Sequence, residues 1–210
     1  MYKPFAAAAL ALGLAGCTSL IATATGPEPL GAQQGKRTLS MRIEDSAIER
    51  TAEVNIYKVD PKFRDANVNV VSFYGSVLLA GQVPTAEMKA QAEKVVWDIA
   101  EVKRIHNELT VGDSSYYQER MSDGLISTQI RARLNGEEFF PSSRAKIFTV
   151  GGTVYLMGKL TAAEADMAVG LIKEVTGVKR IVKLVDTLAP AATPATPADT
   201  GTAPPATPAG

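Results

Sequence analysis

The sequence predicts an α+β fold made of two tandem domains, each with the element order α-β-β-α-β. Two observations lead to this prediction: the chain contains an internal repeat, and each copy alternates between helical and strand-like spacing of its apolar residues. We expect each domain to form a small mixed three-stranded sheet packed by two helices, over residues 40–112 and 113–188. A short hinge near residues 112–115 would let the two domains pack together.

The repeat is visible when the chain is compared with itself. Residues 75–83 (GSVLLAGQV) match residues 152–160 (GTVYLMGKL) at an offset of 77 positions. The tetrapeptide VKRI at residues 102–105 recurs unchanged at residues 178–181. A third match lies upstream and pairs Asp45-x-x-Ile48 with Asp123-x-x-Ile126.

In the first copy, apolar residues at helical spacing predict a helix over residues 43–57: Ile43, Ala47, Ile48, Ala52 and Ile56. Alternating apolar residues on both sides of Gly75 predict two strands joined by a tight turn. A second helix is expected over residues 85–99, with Thr85 or Pro84 at its start. The last strand is predicted from Val102, Ile105 and Leu109.

The second copy repeats this order. A helix over residues 123–134 carries Ile126, Ile130 and Leu134, two strands surround Gly151-Gly152, and a second helix covers residues 163–175. The last strand is predicted from Val178, Ile181 and Val185. Gly81 and Gly158 interrupt the strand pattern at equivalent positions, and we expect close helix packing or a bulge there.

The N-terminal residues have the three-part layout of a secretory signal: a positive charge at Lys3, a short apolar run, and small residues before the single cysteine. Leu14-Ala15-Gly16-Cys17 resembles the bacterial lipoprotein box, in which the cysteine thiol receives a diacylglyceryl group. We therefore expect residues 1–16 to be a signal peptide and Cys17 to be the lipidated first residue of the mature protein. The alternative is an ordinary signal peptide followed by an incidental cysteine.

The segments that flank the predicted domains lack an apolar period. Residues 17–39 are expected to be a flexible tether, and residues 189–210, which are almost wholly Ala, Thr, Pro and Gly, a disordered tail. Thr18 follows the cysteine where an aspartate would favour inner-membrane retention in enterobacterial lipoproteins. This resemblance favours an outer-membrane location that faces the periplasm.

Charge and composition argue against two classes of function. The net charge is zero, whereas nucleic-acid-binding proteins normally carry a basic excess, so nucleic acid is not expected as a partner. His106, the single histidine, has no nucleophile or orienting residue to pair with, and we expect it at a strand surface or edge. No catalytic residue and no cofactor are therefore predicted. No metal site is predicted either, because no His/Cys cluster has metal-ligand spacing.

Two pairs of adjacent carboxylates and the single tryptophan are not expected to have a role in catalysis or cofactor binding. The adjacent carboxylates Glu44-Asp45 and Glu137-Glu138 are expected to be solvated, and Trp97 is expected to pack beside the apolar face of its helix. The charge balance is −3 over residues 43–111 and +1 over residues 113–188, so the two copies differ electrically.

The repeated unit resembles the BON domain. The resemblance rests on the α-β-β-α-β order, the Gly-x-Val-x-Leu-x-Gly strand and the ending Gly177-Val178-Lys179-Arg180-Ile181, although Glu101 stands where the first copy would have that glycine. Two BON domains behind a lipoprotein signal resemble outer-membrane lipoproteins of this family. The resemblance implies a non-enzymatic protein that supports outer-membrane integrity, gathers at division sites and binds anionic phospholipid through its second domain.

We place the predicted lipid contact on the first helix of the second domain. Leu125 points away from the buried stripe of that helix, and Arg131 and Arg133 flank it, so an apolar side chain and two cations share one surface. The predicted lipid-binding residues are Leu125, Thr128, Gln129, Arg131, Ala132 and Arg133. The matching helix of the first domain should be repelled by an anionic surface, because it carries Glu44, Asp45, Glu49 and Glu53 against Arg50.

Two alternatives remain open at this point. In the first, the two arginines are merely solvated and Leu125 packs on the other domain. In the second, the protein is a periplasmic scaffold that binds outer-membrane assembly, division or cell-wall proteins. A lipid site should combine basic and exposed apolar residues on one patch, whereas a protein-binding site need not be basic.

Overall fold

The computed structural model describes residues 37–113 and 117–189, and it confirms two tandem α-β-β-α-β domains. The first domain contains α1 (Leu39–Val59), β1 (Asn67–Phe73), β2 (Ser76–Val83), α2 (Ala86–Trp97) and β3 (Arg104–Val111). The second contains α3 (Tyr117–Gly136), β4 (Ala145–Val150), β5 (Thr153–Leu160), α4 (Ala162–Lys173) and β6 (Arg180–Thr187). The predicted signal peptide, Cys17, and most of the predicted tether and tail lie outside the described residues.

Each domain has one mixed three-stranded sheet with its second strand in the centre. In the first domain β1 and β2 form an antiparallel hairpin, and β3 pairs with β2 in parallel after the crossover through α2. The second domain has the same topology, with α4 as the crossover. A parallel pair needs such a crossover, and a helix supplies it.

Threonine side chains cap three of the helices. Thr38, Thr85 and Thr161 each accept a hydrogen bond from the backbone N–H three residues ahead, which satisfies one of the free donors of the first turn. Thr161 and Glu164 form a complete capping box. Of the two predicted starts of the second helix, Thr85 is therefore the cap.

The helices of each domain pack on one face of its sheet and bury an apolar core. In the second domain the predicted stripe of Ile126, Ile130 and Leu134 lies in that core. Three apolar residues of the first domain are more exposed than predicted. Ile43 is 60% exposed because it lies on the opposite side of α1 from fully buried Ala52, and Ala47 is exposed as well. Trp97 is 51% exposed because it lies on the opposite side of α2 from buried Met88.

The other faces of the two sheets pack against each other. A third apolar cluster joins the domains there: Val71, Phe73, Tyr74, Leu78, Ala80, Tyr155 and Met157. Ion pairs between the domains surround it, with Lys146 Nζ 2.8 Å from Glu49 Oε1 and Arg104 Nη1 2.6 Å from Asp186 Oδ1. The domains therefore form one unit with two central sheets and a helix layer on each outer side.

Gly81 and Gly158 are needed for a reason that differs from the prediction. A Cβ at Gly81 would lie 1.8 Å from the backbone oxygen of Asn67, and one at Gly158 would lie 2.3 Å from that of Arg144. Neighbouring backbone, rather than one of the helices α1 to α4, occupies the space: the first residue of β1 beside Gly81 and the residue just before β4 beside Gly158. Among the helices of the described ranges, none combines the length and apolar character that a bilayer span requires.

Candidate functional site

Helix α3 presents the residues that the sequence assigned to lipid contact. Its buried face packs on the second sheet, and the side chain of Leu125 is 64% exposed. Gln129 and Ala132 are also exposed, and they follow Leu125 at helical spacing. Leu125 therefore does not pack on the first domain.

Met121 extends this exposed face by one turn. Its side chain is 55% exposed and lies four residues before Leu125, so the two side chains share one side of the helix. Phe139, in the loop after α3, is 76% exposed and adds a large aromatic beyond the helix end. Neither residue is among the lipid-binding residues predicted from the sequence, although the four-residue spacing of Met121 and Leu125 is visible there.

The two predicted arginines have internal partners. Arg131 Nη2 donates a hydrogen bond of 2.8 Å to the backbone oxygen of Ile147, and Arg133 Nη1 lies 2.6 Å from Glu174 Oε2. Both arginines of the predicted contact therefore have a partner within the second domain, and Glu174 neutralises Arg133. Since Arg133 and Glu174 are 45% and 61% exposed, the pair is worth only about 0–1 kcal/mol, and a phosphate can compete for the guanidinium. Thr128 Oγ1 donates to the backbone oxygen of Gly124.

A cleft of about 380 Å³ separates α3 from strand β1 of the first domain. Arg120, Gly124, Ser127 and Arg131 line it from α3 at helical spacing, and Asn67 and Asn69 line it from β1. Ser127 Oγ lies 2.8 Å from Thr149 Oγ1 inside the second domain. The first domain therefore forms one wall of the space beside the predicted lipid helix, which the sequence analysis missed because β1 is distant in sequence.

Asp45 is not solvated, contrary to the prediction. It is 1% exposed and accepts hydrogen bonds from Gly75 N, Tyr74 N, Ser72 Oγ and the Arg37 guanidinium. Burial raises the pKa of this carboxyl, but the hydrogen bonds outweigh burial and hold the pKa below its ordinary value. Arg37, which the sequence placed in the tether, thus already contacts the first domain.

Asp123 has the same role in the second domain. Its two carboxylate oxygens accept hydrogen bonds from Gly151 N and Gly152 N at 2.7 and 2.8 Å. Each aspartate therefore joins the first helix of its domain to the turn of the β-hairpin. The repeated Asp-x-x-Ile pattern was the sequence signal for this contact.

The acidic face of α1 is smaller than predicted. Asp45 is buried, and Glu49 accepts hydrogen bonds from Ser72 N and Lys146 Nζ, so neither carboxylate faces solvent freely. Glu44 and Glu53 remain exposed. The electrostatic repulsion of a lipid surface by α1 should therefore come mainly from these two residues.

His106 lies on β3, away from α3. It is half-buried, and burial, together with the nearby Arg104 charge, lowers the pKa of the imidazole. Within residues 37–113 and 117–189, no group of three His, Cys, Asp or Glu residues is placed to hold a metal ion.

Comparison with known proteins identifies the repeated unit. Residues 46–113 and 122–189 both match the BON domain. The chain is 29% identical to the outer membrane lipoprotein DolP of Haemophilus influenzae, over 77% of this chain and 79% of that protein. It is also 29% identical to the 21 kDa hemolysin of Actinobacillus pleuropneumoniae, over 71% of this chain and 77% of that protein.

Among solved structures, the chain is similar to the C-terminal domain of CdsD, a structural protein of the type III secretion system of Chlamydia trachomatis. The TM-score is 0.29 at 11% identity, over 65% of this chain and 96% of that domain.

The two matches to the BON domain together cover more than half of the chain. The chain belongs to the BON-domain family and carries two copies of the domain.

Proposed function

We propose that this chain is a non-enzymatic outer-membrane lipoprotein, anchored through Cys17, whose second domain binds anionic phospholipid through the exposed face of α3. The location is supported by the name of the Haemophilus influenzae relative and by the Leu14–Cys17 motif. Support of outer-membrane integrity and recruitment to division sites are the roles that the family resemblance implies.

The lipid anchor is expected to depend on Cys17, so Cys17→Ser should abolish incorporation of labelled palmitate. Unchanged labelling of this variant would contradict the proposed anchor.

The observation that carries the lipid proposal is the exposed face of α3. Met121 and Leu125 are more than half exposed, and Arg131 and Arg133 lie on the same helix. Apolar side chains can enter the headgroup region while guanidinium groups meet lipid phosphate. The exposed Arg133–Glu174 pair is weak enough to be exchanged for such a contact.

The test is sedimentation with vesicles of phosphatidylglycerol and phosphatidylcholine, using the chain from residue 18. This chain retains every residue of the three apolar clusters, so it is expected to fold without the acyl group. Leu125→Asp combined with Arg133→Glu should abolish binding to the anionic vesicles. The matched control is Ala47→Asp with Arg50→Glu on α1, which makes the same charge change and should bind normally.

Equal binding by the variant and its control would contradict the lipid proposal. Binding that ignores both lipid charge and salt concentration would contradict it as well, because an interaction between cations and headgroups is screened by salt.

A second candidate function rests on the outer face of α1. Leu39, Ile43, Val54 and Tyr57 are all more than 40% exposed and lie opposite the buried face of this helix. Glu44 and Glu53 border this stripe, so its chemistry suits an amphipathic helix with basic edges rather than an anionic membrane. A photocrosslinking amino acid at position 43 should then yield a protein adduct in cells, whereas one at position 125 should yield a lipid adduct. Lipid adducts from both positions would contradict this second candidate function.

A further inference from the structure

A second basic groove lies between α4 and β6, apart from the exposed face of α3. It has a volume of about 380 Å³ and combines an apolar floor with a cationic rim. The floor is formed by Val169, Val178 and Ile181, and the rim by Lys173, Lys179, Arg180 and Lys183.

The cations of this groove exceed its carboxylates. Lys183 Nζ lies 3.3 Å from Asp166, and Arg180 Nη2 lies 3.9 Å from Glu108, a loose pair. Within the described part of the chain, Lys173 and Lys179 have no carboxylate within ion-pair distance. The stem of Lys179 packs over Gly152, and Lys179 also lines the groove.

At the equivalent place in the first domain, a side-chain bridge joins the second helix to the last strand. There Asn107 Nδ2 donates hydrogen bonds to Glu93 Oε2 at 2.9 Å and to the backbone oxygen of Lys89 at 3.0 Å, which joins α2 to β3. Val169 and Lys183 replace Glu93 and Asn107 in the second domain, and Lys173 replaces Trp97. The fold is the same in both copies, so the groove and its added lysines are not required by the fold.

We infer that the groove between α4 and β6 is a second binding site for the headgroup of an anionic glycerophospholipid. The phosphate would lie at Lys173 and Lys179, and the glycerol and first acyl carbons would lie on Val169 and Val178. This combination of cations and an apolar floor fits a phospholipid better than an acidic peptide, which supplies charge alone. The inference rests on the proposed membrane function, because it treats the groove as a second contact with the same lipid surface.

The position of the groove supports this occupant. Helices α3 and α4 share one layer of the second domain, and the Arg133–Glu174 pair joins them immediately beside Lys173. A lipid surface that contacts the C-terminal end of α3 therefore lies close to the first lysine of the groove. Two contacts on one rigid domain would fix its orientation on the membrane as well as strengthen binding.

The experiment uses Lys173→Glu with Lys179→Glu in the chain from residue 18. Its matched control is Lys94→Glu with Lys103→Glu in the first domain, which makes the same charge change. Each pair takes one lysine from the last turn of the second helix and one that packs over the hairpin glycine. The groove variant should bind phosphatidylglycerol vesicles at least about tenfold more weakly than the control, at unchanged melting temperature.

A second measurement separates the groove from α3. Dihexanoyl phosphatidylglycerol below its micelle concentration should shift the amide resonances of residues 178–183 in the Leu125→Asp variant, and not after Lys173→Glu with Lys179→Glu. These shifts would support the groove even if the chain bound no vesicles. Absence of vesicle binding would contradict only the α3 proposal. The inference is overturned if the parent chain binds the vesicles and the groove variant binds them as well as its control does, or if a glutamate decapeptide shifts these amides and the lipid does not.

Discussion

The two domains agree closely in their buried residues and differ in their exposed ones. Ile48 and Ile126, Leu79 and Leu156, and Val96 and Ile172 occupy equivalent core positions, and Asp45 and Asp123 make equivalent helix-to-hairpin contacts. At the surface, Ala47 corresponds to Leu125, and Asn107 corresponds to Lys183. The repeated residues hold the fold, whereas Leu125, Lys173 and Lys183, which differ from their counterparts in the first domain, belong to the proposed lipid contacts.

The largest loss of stability is expected at Gly81 and Gly158, where the neighbouring backbone leaves no room for a side chain in either copy. Gly81→Val should cost about 3–4 kcal/mol, because its side chain would overlap the Asn67 carbonyl at a positive φ of 132°. Gly158→Val should cost about 1–3 kcal/mol, since the corresponding overlap with Arg144 is less severe. Thermal and urea unfolding of the chain from residue 18 would measure both.

Gly170→Ala provides the control for these two variants. A Cβ at this position on α4 meets no atom within 4 Å, so alanine should stabilise the helix slightly. Equal stability of all three variants would contradict the view that the neighbouring backbone confines Gly81 and Gly158.

The next effect concerns the aspartate contacts, in which Asp45 has two partners, Arg37 and Ser72 Oγ, in addition to the two backbone amides that each aspartate binds. Asp45→Asn should cost about 2–3 kcal/mol, because it removes the buried charge that pairs with Arg37 and two backbone donors. Asp123→Asn should cost less, since its described contacts are the two glycine amides alone. Urea unfolding at neutral pH would rank the two.

The same contact predicts a dependence on acid. The pKa of Asp45 is lowered in the folded state, so its contribution is complete above the unfolded pKa and is lost as pH falls below 3.8 toward the folded value. Asp45→Asn should therefore flatten the loss of stability in this acid range, whereas Asp123→Asn serves as the comparison. An unchanged acid profile in Asp45→Asn would mean that another group controls acid unfolding.

The elements could be predicted from the sequence because period and repeat are local signals. Helical spacing around Ile130 and strand alternation around Leu79 follow directly from burial on one face. The packing of sheet on sheet had a signal that was not used: the runs VLLA at 77–80 and VYLM at 154–157 are apolar on both strand faces, as expected of strands buried on both sides.

The candidate site was only partly predictable. Exposure of Leu125 followed from the helical wheel, but the partner of Arg133 is 41 residues away in sequence, and side-chain pairing over such a separation depends on the tertiary fold. The groove beside Lys173 could not be inferred either, because it exists only where α4 and β6 meet without the bridge that Asn107 and Glu93 provide in the first domain.

The smallest effect on stability is expected at the face where the two sheets meet, at a position where the two copies carry different residues. His106 occupies the position of Val182, and Arg104, Glu108 and Asp186 lie near its ring. Burial lowers the pKa of His106 below 6.5, so the neutral ring is favoured in the folded protein and the unfolded chain binds more protons just below that pH. The contribution of His106 to stability is therefore fully present above pH 6.5 and decreases as pH falls from 6.5 toward the folded pKa.

His106→Val, which introduces the residue of the second domain, should remove this pH dependence, and it should change the free energy of unfolding by less than about 1 kcal/mol. Melting temperatures at pH 7.5 and 5.5 would test it, with Val182→His as the reciprocal variant; an equal decrease in the His106→Val variant and the parent chain would show that the two sheets tolerate a charged imidazole between them.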